Sequence, residues 1–170
     1  MDMNNKEFFD YVKKSGHSCA AGDRYLQQTG FGTYELWNES TVAAHIIAMT
    51  MQFGISKQVT TRCIADCLRS LYLGYNEAFS VLDEWIDNDT PETRAAVKEQ
   101  YHANYVELDH GRFDRLTYLL AIPNQKNYYI SACLALKTND IELSSEWISI
   151  IKNHVEYKDL NIAPYATPSI

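Results

Sequence analysis

Residues 40–74 read STVAAHIIAMTMQFGISKQVTTRCIADCLRSLYLG. Val42, Ile46, Met49 and Phe53 recur at helical spacing, Ser40 stands where an N-cap belongs, and Gly54 stops the run. Ser56 is then placed to cap a second helix that reaches about Leu73 before Gly74. Its buried stripe is Val59, Cys63, Ile64, Cys67, Leu68, Leu71 and Tyr72. Two apolar stripes of helical period joined by a short connection make an antiparallel helix pair, and that pair sets the fold class.

The same pattern extends towards the C-terminus. Asn76 can cap a third helix with Ala78, Val81, Leu82, Trp85 and Ile86 facing inward. Thr90-Pro91-Glu92 combines a capping hydroxyl, a proline at the first helical position and an acid in the first turn. The helix it starts is expected to reach Val106 or Leu108, with others over Arg112 to Ile122, Gln125 to Lys137 and Ser144 to Tyr157. On the N-terminal side a helix is expected from Asn5 to Ser15. Residues 16–40 are the least regular, a loop with aromatic residues and a short helical turn at Asp23 to Gln28, lying on the core as a lid or brace. No segment alternates as a strand does. The expectation is all-α: an irregular antiparallel bundle of about seven to eight helices, one domain over residues 1–160, and an extended or mobile tail over 161–170.

Bulk composition fits a single folded domain. The 170 residues are 46 % apolar and 22 % charged, with four Pro and seven Gly, which excludes disordered and fibrous classes. The N-terminus lacks the basic-then-apolar layout of a signal peptide. The longest apolar stretch, Val42 to Ile55, is too short for a bilayer, so no membrane role is expected. Four cysteines without a secretory leader point to reduced thiols and a cytoplasmic protein.

The formal net charge is -7, and residues 70–93 carry six acids with no Lys, Arg or His. These are Glu77, Asp83, Glu84, Asp87, Asp89 and Glu92, mixed with Tyr72, Tyr75, Phe79 and Trp85. Such a balance argues against direct nucleic-acid binding, which needs Lys and Arg in patches, and favours a basic protein partner. A solvated helix surface normally mixes both signs, so an uncompensated run is either plain solvation or a binding face. Asp83, Glu84, Asp87 and Asp89 are the candidate steering carboxylates, and Glu77 is a further partner-binding candidate, although Glu77 and Glu92 stand near helix starts, where the macrodipole favours acids for structural reasons. Trp85 is a candidate anchor on the condition that its ring is not fully buried.

Other chemistry-bearing residues carry weaker signals. Cys63 and Cys67 lie inside an apolar stripe, where small core thiols explain them without a metal; Cys133, between Ala132 and Leu134, reads likewise. Cys19 and His17 complete no convincing zinc spacing. His45 reads as a packed histidine, and His102 and His110 as residues of helix ends and loops. No phosphate-cradling glycine loop or hydrolase motif is present, so no catalytic residue, metal ligand or cofactor is assigned.

The segment Thr61-Arg62-Cys63-Ile64-Ala65-Asp66-Cys67-Leu68-Arg69, followed by Trp85 and then Glu92-Thr93-Arg94-Ala95-Ala96, resembles the helical immunity proteins encoded beside bacterial polymorphic toxins. The likeness lies in packing motifs. It implies a non-enzymatic inhibitor that caps a toxin, often a basic nuclease. The leading expectation is therefore a bacterial or phage binding protein that occludes a basic partner through an acidic, aromatic face. The alternative is a small-ligand-binding protein or enzyme, with a Tyr- and His-lined pocket closed by the 16–40 loop.

Overall fold

The computed structural model describes residues 2–15, 20–103, 112, 115, 116 and 125–162. These form nine α-helices: α1 Asn5–Ser15, α2 Ala20–Thr29, α3 Thr33–Glu39, α4 Ala43–Gln52, α5 Lys57–Arg69, α6 Asn76–Asp87, α7 Pro91–Ala103, α8 Gln125–Ala135 and α9 Ile141–His154. A 3-10 turn follows at Tyr157–Asp159. No strand occurs among the described residues, and the fold is all-α.

Helices α4 and α5 form the centre. A helix covered on several sides must be apolar around most of its circumference. The α4 sequence AAHIIAMTMQ meets that demand, and α4 packs against α3, α5, α8 and α9. Helix α5 buries Cys63, Ile64, Ala65, Cys67 and Leu68 completely and touches α4, α6, α8 and α9. Its pairing with α6 is antiparallel. Gln58 Nε2 donates to the Ile86 carbonyl at 3.0 Å near one end, and Arg69 Nη2 donates to the Phe79 carbonyl at 3.4 Å near the other.

Local stop and start signals work where the chain supplies its own cap. Helix α1 spans the expected residues, Ser56 Oγ accepts from the Val59 amide, and Pro91 is the first residue of α7, with Thr90 Oγ1 accepting from the Thr93 amide. Four expectations need correction. Ser40 does not cap α4; its hydroxyl accepts from Tyr25 and from the Val42 amide. The α4 amide at Ala43 is instead satisfied at 2.9 Å by Ser144 Oγ of α9, which donates to the Thr41 carbonyl at 2.7 Å. Ser144 is thus inside α9, whose own cap is Asp140, accepting from the Leu143 amide. Helix α5 ends at Arg69 rather than Leu73, which leaves Leu71 exposed along with Val59 at its start. Asn76 is the first residue of α6 rather than its cap, a place taken by Tyr75.

The described part of the 16–40 segment is helical rather than a loop. Helices α2 and α3 bury Leu26, Leu36 and Trp37, and Asn5 Nδ2 donates to the carbonyls of Leu26 and Phe31 at 2.9 Å each. Gly32 lets Met3 pass close: a Cβ there would collide with the Met3 carbonyl. Met3 is buried, and its amide donates to Thr33 Oγ1 at 3.0 Å while its carbonyl accepts from the Thr33 amide. The Tyr157 hydroxyl lies 2.9 Å from Thr33 Oγ1 and donates to Asp2 at 2.6 Å. Both ends of the described chain are therefore clasped at α3. Asn161 and Ile162 continue this packing, the Asn161 amide donating to the Phe53 carbonyl. The expected helix ends beyond Ala103, the helix over 112–122 apart from residues 112, 115 and 116, and the tail from 163 lie outside the described residues.

Removing the Ser144 hydroxyl orphans the Ala43 amide in a buried place. Ser144→Ala is expected to lower stability by about 1–2 kcal/mol in urea unfolding, the range for a lost helix cap. Ser40→Ala, whose hydroxyl does not meet an amide of α4, should leave the N-terminus of that helix intact by amide hydrogen exchange.

Candidate functional site

Helix α6 has two faces because its sequence NEAFSVLDEWID alternates with helical period. Ala78, Leu82, Trp85 and Ile86 are buried, as expected; Phe79 is buried as well, and Val81 is only half-buried. Glu77, Ser80, Glu84 and Asp87 are exposed, on the opposite side. All six candidate residues lie on this helix or two residues past its end, but their environments divide them sharply.

Asp83 lies on the flank turned towards α5. Its Oδ1 accepts from Arg62 Nη1 at 2.7 Å and its Oδ2 from Arg69 Nη2 at 2.6 Å. Arg62 also binds the Asp87 carboxylate through Nη2. The row continues across α5, where Asp66 sits 3.8 Å from Arg69 Nη1 and 2.7 Å from His154 Nε2 on α9. Alternating charges thus run Asp87, Arg62, Asp83, Arg69 and Asp66, and the hydrogen bond to His154 carries the row onto a third helix. Asp89, just past α6, is gripped at both oxygens by Arg94 of α7, at 2.6 and 2.8 Å. Hydrogen bonding from Arg94 holds the Asp89 carboxyl below the usual carboxylate range.

Three arginines therefore compensate Asp83, Asp87 and Asp89. None lies inside the acidic window: Arg62 and Arg69 come from α5 and Arg94 from α7, Arg69 and Arg94 being the residues that border it. A signal for two of them was present: Arg62 and Arg69 are two helical turns apart on α5, and an antiparallel α6 must pass beside them. Glu77 and Glu84 remain exposed with no ion-pair partner among the described residues.

Trp85 does not meet its condition as an anchor. It is 2 % exposed, and its Nε1 donates to Asp89 at 3.0 Å, so the ring packs inside while its polar edge finds a carboxylate at the rim. Sequence reasoning missed the exposed apolar residues beside the acids. Leu71 and Leu73 are exposed on the turn between α5 and α6, whereas the sequence pattern places Leu71 in the buried stripe and Leu73 at the helix end.

The remaining candidates are structural where they are described. Cys63 and Cys67 are fully buried, and burial pushes the Cys63 thiol up to about 12 and the Cys67 thiol up as well. Cys67 Sγ donates to the Trp147 carbonyl at 3.6 Å. No group of three or more His, Cys, Asp or Glu side chains among the described residues is placed to hold a metal ion. Tyr128 lies in the core with its hydroxyl donating to the Lys57 carbonyl. His17, Cys19, Tyr105 and His110 lie outside the described residues, as do the side chains of Tyr101 and His102. His45 packs against Tyr25, ring centroids 4.3 Å apart, with Nδ1 unpartnered.

No family model, no curated protein and no solved structure matches the chain.

Two predictions follow from the titratable groups. Asp83→Ala removes the carboxylate that joins Arg62 to Arg69 and is expected to cost about 1–2 kcal/mol, while Glu84→Ala stays within about 0.5 kcal/mol. A urea titration of both variants checks the contrast. Burial holds the His45 imidazole below its ordinary value, so the unfolded chain takes up a proton there before the folded one does. The stability His45 contributes is complete above about pH 6.5 and is lost as the pH falls below it. His45→Gln should flatten the fall in melting temperature over that range.

Proposed function

We propose that this chain is a non-enzymatic, cytoplasmic binding protein that neutralises a basic protein by covering its working surface. The observation that carries this reading is the pair Glu77 and Glu84. They stand two helical turns apart on the outer face of α6, exposed and without an ion-pair partner among the described residues. Asp83, Asp87 and Asp89, by contrast, are already bound to arginine. A helix face that leaves two carboxylates uncompensated about 10 Å apart suits a partner carrying Lys or Arg at a matching interval.

An immunity-type inhibitor of a basic nuclease toxin fits this reading, and so does a phage inhibitor of a host nucleic-acid enzyme. Both act by occlusion and ask no chemistry of the inhibitor. The long-range field of the uncompensated carboxylates draws the partner in, and local contacts then hold it.

The test is affinity capture from native lysate at low and high salt, followed by association kinetics on the retained protein. A basic protein held at low salt is expected. The Glu77→Lys/Glu84→Lys double variant should associate with it about 10-fold more slowly at low salt, with a flatter salt dependence. Unchanged association by that variant, with its helical circular dichroism intact, removes the α6 face from consideration.

A further inference from the structure

Leu73 is 83 % exposed and Leu71, two residues earlier, 39 %. Single exposed apolar residues are ordinary on a protein surface. Two within three residues, framed by the half-buried rings of Tyr72 and Tyr75, make a small patch. The turn that carries them is braced by hydrogen bonds and ring contacts on both sides of Leu73. The Leu71 amide donates to the Leu68 carbonyl at 2.9 Å, Tyr72 to Arg69 at 3.2 Å, and Tyr75 to Tyr72 at 3.2 Å. The Tyr72 ring stacks on Phe79 of α6, centroids 6.3 Å apart, and meets Tyr75 edge-on at 6.2 Å. Gly74 reverses the chain with φ of 98°, and the space where its Cβ would stand is open for 4 Å. Leu73 is held out into solvent by an ordered frame, not left there by a loose one.

Position completes the argument. The turn leads straight into α6, and Glu77 is exposed on its first helical turn, with Glu84 two turns further on. Ile141 is also exposed, at 73 %, but no second exposed large apolar residue accompanies it in α9. An apolar knob already ordered before binding loses little conformational freedom when a partner covers it. Exposed carboxylates on the helix that follows it favour a pocket with positive charge nearby.

Resting on the binding reading above, we infer that Leu73 is the apolar anchor of the α6 face and seats in an apolar pocket rimmed by Lys or Arg on a protein partner. Leu71 forms the shoulder of the contact, and Glu77 and Glu84 meet the basic rim. Charge and anchor then divide the kinetics: the carboxylates set the association rate, and Leu73 sets the dissociation rate.

The test places p-benzoylphenylalanine at position 73 of the full chain, and separately at Ile141 and Ile130, in the cell that makes the protein. Ultraviolet crosslinking and mass spectrometry then identify what each position touches. The expected result is an adduct from position 73, absent from the two controls, to a basic protein, and lost when Glu77→Lys/Glu84→Lys is added. Leu73→Ala should then dissociate from that purified protein about 10-fold faster, with association rate, salt dependence and melting temperature unchanged. An adduct to a second copy of this chain, to a small molecule, or equally from Ile141 overturns the proposal, as does dissociation within about twofold of wild type. If position 73 is silent while the charge reversals still slow association, the anchor fails and the acidic-face reading stands. If both are silent, both fall.

Discussion

Helix α5 has to satisfy two different neighbourhoods at once, and the rest of the structure follows from how it does so. One side carries Cys63, Ile64, Cys67 and Leu68 and must be kept from water by α4, α8 and α9. The edge carries Arg62 and Arg69, whose guanidinium groups are partly buried and need carboxylates within reach. Asp83 answers both arginines from the middle of α6, and Asp87 answers Arg62 again. Half-buried bonds of this kind contribute modestly to stability, but they leave little freedom of register. Sliding α6 along α5 by one turn would separate Asp83 from one arginine or the other. The rotation of α6 that turns Asp83 towards α5 also turns Trp85 inward and leaves Glu77 and Glu84 facing out.

Much of the fold was legible because its signals are local. Asn5 to Ser15, Ser56 and Thr90-Pro91 mark their helices within a few residues of chain, and the period of the apolar stripes marks the class. What was illegible is what distant parts of the chain supply. The cap of α4 comes from Ser144, 101 positions away, while the obvious local candidate Ser40 is held by Tyr25. The 16–40 segment read as a loop because Gly30 and Gly32 interrupt its helical pattern. Its helices are secured by Met3 and Tyr157, which no window around residue 30 contains. The acids of the candidate site were likewise visible and their balance was not: a charge run shows how much charge is present, not which helix brings the counter-charge.

That distinction bears on how an acidic surface acts at a distance. A carboxylate held 2.6 to 2.8 Å from a guanidinium is, a few ångströms away, a dipole whose field decays quickly. An uncompensated carboxylate keeps a monopole field that reaches about 8–10 Å through physiological salt before it is screened. Counting acids therefore overstates the attraction of Asp83 and Asp89 and understates the importance of Glu77 and Glu84. The burial of Trp85 has a matching consequence. An outer face made of Glu77, Ser80, Glu84 and Asp87 suits the proposed basic partner in charge but offers it little apolar area, and charge alone gives fast arrival with short residence. Tight binding through α6 thus requires apolar area from an adjoining element, and the turn that carries Leu71 and Leu73 directly precedes the helix. The fold that withdraws Trp85 from the surface near one end of α6 leaves Leu73 exposed before the other.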